Sequence, residues 1–198
     1  MLNKFRKNLQ PILDKIGSIF ATLGISPNSI TVMAFIIAVI SSIIFGLSSI
    51  QNGIWFNTVL LGSILLLISG FFDVIDGSVA RISRQTSKKG AFLDSTLDKI
   101  SEVVIFLGIA IGNLANPILC MIALSSSLLV SYTRSRAESF GVDLSGIGFG
   151  ERAERLIILA IMGIIPIQNF LEYGVIIIII ISILTIVQRI DRTIKKLS

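Results

Sequence analysis

Six apolar runs separated by polar connections constrain this chain more than any other feature. They fall at 29–47, 57–70, 99–113, 117–131, 156–166 and 171–187. A helix needs about 20 residues to cross about 30 Å of hydrocarbon. The second, third and fifth runs reach that length only by continuing into flanking polar sequence. Helices extended in this way carry charges along one face, at a depth where a charge needs a cavity, a partner or a metal. The sequence therefore predicts an all-α, polytopic membrane protein with six transmembrane helices. Only 15% of residues are charged and 53% are hydrophobic, whereas soluble domains are about one quarter charged. That shortfall argues against a soluble enzyme and excludes a disordered chain.

The basic residues fit this topology. All 17 fall at the N-terminus, in the connections after the second and fourth runs, just inside the third run (Lys99), or in the tail. The opposite connections, 48–56, 112–116 and 167–170, hold neither Lys nor Arg. The positive-inside rule then places both termini in the cytoplasm, in a multi-pass protein of the cell membrane. Ahead of the first run, Phe5, Leu9, Ile12, Ile16 and Ile19 recur at helical spacing among basic and polar residues. This pattern predicts an amphipathic helix that lies in the interface or packs on the bundle, with a kink near Pro11. The chain reads as one domain, 1–198, with an interfacial segment at 1–26 and a six-helix bundle at 27–198.

Several chemistries are excluded at once. The chain has no histidine, which removes His-ligated zinc, histidine-held haem and the Ser-His-Asp triad. Its single cysteine, Cys120, precludes an internal disulfide or a cysteine metal cluster. The net charge is +5, but without a long basic stretch no nucleic-acid partner is expected.

Between the second and third runs stand Asp73, Asp76 and Gly77, followed by Ala80 and Arg81; Gly90, Asp94 and Asp98 come after eight further residues. Spacings of three and four put each aspartate pair on one helix face. A short connection lets the two faces meet, giving four carboxylates in one pocket. In a bundle of low dielectric such a group stays ionised only with cations beside it. An all-oxygen site without His or Cys predicts Mg²⁺ or Mn²⁺, and two such ions would suit a pyrophosphate. A second cluster is basic. Arg134 and Arg136 close the fourth run, and Arg152 and Arg155 open the fifth. Guanidinium groups gathered there suit a phosphate through bidentate contacts. The glycine-rich connection between them reads as either a cover for the pocket or a passive linker.

The aspartate pattern, D-x2-D-G-x2-A-R, eight residues, G-x3-D-x3-D, resembles the signature of the CDP-alcohol phosphatidyltransferase family at every position. That resemblance implies a membrane enzyme, commonly dimeric, with its active site open to the cytoplasm. Such enzymes displace CMP from a CDP-linked lipid with an alcohol, using divalent metal. Asp73, Asp76, Asp94 and Asp98 would then hold metal, and Asp98 would also serve as general base. Asn28, Thr31, Gly77, Arg81 and Ser87 would contact the CDP-lipid. The stretches around Arg134, Arg136, Arg152 and Arg155 are similar to the branch that accepts inositol 1-phosphate, which makes these arginines candidates for holding its phosphate. Similarity to archaeal members implies CDP-archaeol as the donor. The alternatives are CDP-diacylglycerol as donor or a glycerol phosphate as acceptor. From other classes come an ion-coupled transporter and a structural membrane subunit.

Overall fold

The computed structural model describes residues 2–48, 55–144, 146–165, 167 and 169–197. Most of the 48–56 connection, parts of the 167–170 connection and the side chains of Phe5 and Leu9 lie outside the described residues. Seven helices follow one another: α1 Leu2–Thr22, α2 Pro27–Leu47, α3 Trp55–Ile82, α4 Lys88–Ile111, α5 Pro117–Ser139, α6 Arg152–Ile164 and α7 Phe170–Leu197.

Among the described residues, four helices are long and apolar enough to cross a membrane: α2, α3 from Asn57, α5 and α7. The chain is a multi-pass membrane protein, but the expected six spans are corrected to four. The two that fall short do so for different reasons. α4 carries Lys88, Lys89, Asp94, Asp98, Lys99 and Glu102, leaving only 103–111 free of charge. α6 has 13 residues, about 20 Å of helix. The second run, by contrast, continues as α3 through Asp73 and Asp76 to Ile82.

The helices approach one another closely because small residues face their neighbours. A Cβ on Gly62 would stand 2.6 Å from the Phe45 ring. One on Gly108 would collide with the backbone of Ser42, and one on Gly163 with the Ser63 hydroxyl. Gly46 faces Ile111. These four glycines therefore lie against helices of their own chain. Serine hydroxyls add bonds between helices: Ser41 donates to the Gly62 carbonyl at 2.7 Å and Ser69 to that of Ala34 at 2.8 Å. Phe45, Leu66, Ile105, Ile109, Leu159 and Ile178 fill the main core.

α1 runs through Pro11 and packs along α3. Leu13, Ile16 and Phe20 meet Ile30, Ile75 and Val79, and Gly17 brings the helix against Ser78. Ile12 and Ile19 point outward. The packed stripe is thus offset from the one that the apolar spacing suggested, and the helix has both a bundle-facing side and an outward apolar side. Gly24, at φ +73°, makes the turn into α2, where the Ser26 hydroxyl accepts from the Ser29 amide.

Candidate active site

The site collects at one end of the bundle, where α3 ends and α4 begins. A 3.6-residue period turns Asp94 and Asp98 to one side of α4. There they meet Asp73 of α3, and one carboxylate oxygen from each of the three lies within 4.8 Å of the others. Asp76 stands beside this group and faces α2. It is 6% exposed and accepts a hydrogen bond from the Thr31 hydroxyl at 2.6 Å. Positions three apart on a helix differ by about 60° in direction, which is enough for Asp73 to address α4 while Asp76 addresses Thr31. The four aspartates thus form a cluster of three with a fourth adjoining it.

A cleft of about 240 Å³ opens along this edge. Asn28, Thr31, Gly77, Arg81 and Ser87 all line it, together with Asp76 and Asp94. Several local features build its wall. The Ser87 hydroxyl caps α4 by accepting from the Gly90 amide at 3.0 Å. Gly90 leaves room for the Asn28 side-chain oxygen, which a Cβ there would meet at 3.0 Å. Arg81 donates to the Ser78 hydroxyl at 2.9 Å and has Asp14 of α1 3.9 Å away. Gln85 and Thr86, which no motif marked, also line it.

Burial pushes the Asp98 carboxyl up to about 8, against the opposing pull of Arg152 and with a further push from Asp73. Burial raises Asp94 as well, with Asp73 adding to it. Such carboxyls ionise fully when a cation joins them. Three converging oxygen donors in a chain without histidine, with Cys120 buried in the core, fit a hard divalent cation.

The four arginines fare differently. Arg152 reaches into the cluster: its Nη1 lies 2.7 Å from Asp73 Oδ1 and 2.5 Å from Asp98 Oδ1. Arg155 is 2% exposed and committed to Glu102 and the Gly150 carbonyl. Arg134 pairs with Glu138 at 2.8 Å, and Arg136 lies 4.4 Å over the Phe140 ring. Glu102 was missed in the sequence, although it sits one turn after Asp98 just as Arg155 sits one turn after Arg152. The connection before α6 is fastened to α7. Thr185 accepts from the amides of Phe149 and Gly150, and Arg189 donates to the carbonyls of Ile147 and Val130.

The helical membrane bundle thus places a group of carboxylates beside a cleft into which charged and polar side chains point. The sequence model for CDP-alcohol phosphatidyltransferases matches residues 24–187, and the chain belongs to that family. It is a CDP-alcohol phosphatidyltransferase. Among its relatives is the archaetidylinositol phosphate synthase of Pyrococcus horikoshii, 39% identical over 100% of this chain and 98% of the other. Among solved structures, the phosphatidylinositol phosphate synthase of Mycobacterium tuberculosis with CDP-DAG bound superposes with a TM-score of 0.77. It is 26% identical, with 92% of this chain and 94% of that one covered. The same enzyme in complex with manganese and citrate gives a TM-score of 0.76 at 26% identity, covering 91% of this chain and 88% of that one.

Proposed function

We propose that this chain transfers the phospholipid moiety of a CDP-linked lipid to inositol 1-phosphate, releasing CMP. The observation that carries the reading is that Asp94 belongs both to the acidic cluster and to the cleft lined by Asn28, Thr31, Gly77, Arg81 and Ser87. A nucleotide held in that cleft has its diphosphate beside the carboxylates.

Asp73, Asp76, Asp94 and Asp98 are read as the holders of Mg²⁺ or Mn²⁺; four carboxylates offer enough oxygens for two ions. The bound metal would neutralise the diphosphate and the charge that develops on it. The chain's own groups do the rest. Arg81 and the capped start of α4 receive the CDP group. Asp98 accepts the proton of the attacking hydroxyl, its usefulness as a base resting on position. The hydroxyl oxygen bonds to the lipid-bearing phosphorus as the bond to CMP breaks, without a covalent enzyme intermediate. Arg134, Arg136 and Arg152 are read as the acceptor's phosphate subsite. Arg155, held by Glu102, steadies that subsite from behind.

For the donor, CDP-diacylglycerol replaces CDP-archaeol as our first reading, because the solved relative with a TM-score of 0.77 contains CDP-DAG. CDP-archaeol is the second, favoured by the 39% identity to the Pyrococcus synthase. The site end of the bundle carries Arg81, Arg84, Lys88, Lys89, Arg134 and Arg136, and the positive-inside rule makes it cytoplasmic. Transport is disfavoured. The cleft at the opposite end, about 280 Å³, is lined by Ser48, Asn113, Asn169 and apolar residues. Between the two clefts, α3, α4 and α6 contribute core residues such as Leu66, Ile105 and Leu159.

The test is CMP release by the detergent-solubilised protein with Mg²⁺ or Mn²⁺. Inositol 1-phosphate, both glycerol phosphates, serine and free inositol are each offered with ester-linked and ether-linked donors. Turnover is expected with inositol 1-phosphate; activity confined to a glycerol phosphate overturns the acceptor. Light scattering of the same preparation tests the homodimer that the family resemblance implies.

A further inference from the structure

Arg152 occupies an unusual position among the four arginines. A single nitrogen, Nη1, joins carboxylates from two different helices, Asp73 of α3 and Asp98 of α4. Both residues also contribute a carboxylate oxygen to the group that converges within 4.8 Å. A divalent cation such as Mg²⁺ takes its oxygen ligands at about 2.0–2.1 Å, so it and this guanidinium cannot both sit between those two oxygens. The guanidinium is also incompletely satisfied where it is: Nε is buried without a hydrogen-bond partner. One turn further on, Arg155 is fixed by Glu102 and Gly150. The start of α6 is therefore anchored at Arg155 and does not depend on the partners that Arg152 takes.

We propose that Arg152 is the resident counter-cation of the acidic cluster. It holds Asp73 and Asp98 together until a divalent cation takes their oxygens, and its release makes capture of the anionic acceptor follow metal loading. The inference rests on the reading of Asp73, Asp94 and Asp98 as metal holders and of Arg152 as part of the acceptor subsite. It adds an order: one guanidinium serves two sites in turn, so the acceptor subsite is complete only after the metal has displaced it. Charge alone does not make this argument. Lys99 is another cation beside Asp98 and Glu102, but Arg152 is the one that bridges Asp73 and Asp98.

The experiment measures Mn²⁺ binding to the purified, solubilised full chain by the loss of the free-ion EPR signal, without substrates. R152Q is expected to bind Mn²⁺ about ten-fold more tightly than wild type. K99M, which removes a neighbouring charge but not the bridge, is expected to gain less than about three-fold. Equal affinity of R152Q and wild type, or an equal gain in K99M, overturns the proposal while leaving the metal reading intact. Absence of Mn²⁺ binding by the wild type overturns the metal reading and the proposal with it. If R152Q does not fold, R152K decides: its shorter side chain and single ammonium should still give a gain of about three-fold, and no gain overturns the proposal. In a second measurement, calorimetry with inositol 1-phosphate and no donor should show at least ten-fold tighter binding to the wild type with Mn²⁺ than without. Equal binding overturns the ordering.

Discussion

Asp76 differs from its three acidic neighbours in what it touches. The Thr31 hydroxyl donates to it across the α2–α3 contact at 2.6 Å. A hydrogen bond to a charged group is worth about 1.5–3 kcal/mol. Thr31→Val, which keeps the shape and removes the donor, is expected to lower stability by about 2 kcal/mol and to weaken CDP binding. Thermal unfolding and CMP titration check the two effects. Asp98→Asn is expected to leave the fold in place and reduce CMP release by about 10²–10⁴-fold, the usual contribution of a positioned base. Undiminished turnover would remove Asp98 from the mechanism. At this scale the sequence was most informative where spacing fixes direction. Asp94 and Asp98, four apart, converge as their spacing requires. The divergence of Asp76 was not legible, because it depends on where Thr31 of another helix stands. Nor was the commitment of Arg155 to Glu102, since an arginine in a motif looks the same whether it faces a ligand or a buried partner.

The elements around the cluster are held by a few buried contacts. Glu102 and Arg155 clamp α4 to α6, both 2% exposed. Breaking a buried pair by removing one charge typically costs about 3–5 kcal/mol. Glu102→Gln should therefore unfold at a markedly lower temperature, and adding Arg155→Met should restore part of the loss; a double variant no more stable than the single one would argue against the clamp. On α7, the Thr185 hydroxyl accepts from the Gly150 amide at 2.9 Å, immediately before α6 begins. The glycine-rich connection is fastened to α7 at Thr185 and Arg189. Helix existence was legible from apolar periodicity, whereas span number was not. α4 looks like a span from 99–113 alone, yet the charged residues before it, which build the site, deny it the apolar length. α6 ends after 13 residues. Close helix approach also escaped the sequence: Gly108→Ala is expected to cost about 1–3 kcal/mol by overpacking against Ser42, measurable as a lower unfolding temperature in detergent.

The whole molecule is polarised along its length. Charged side chains gather where α3 ends, while the far end carries Ser48, Gly112 and Asn113 beside Met162 and Ile165. In a Cys120→Ala background, Asn113→Cys and Lys196→Cys should react with a membrane-impermeant thiol reagent from opposite faces, with Lys196→Cys reacting from the cytoplasm. Labelling of both from one face would contradict the orientation. Asp73 lies nine residues before Ile82, the last residue of α3, about 14 Å along the helix axis. On the proposed function, that setback from the helix end bears on which nucleophile reaches the donor. A lipid phosphate activated in open cytosol meets water far more often than a dilute polyol, and would be hydrolysed. On that same reading, a site recessed by that length of helix meets bulk water less often, and CMP release without an acceptor should accordingly stay slow.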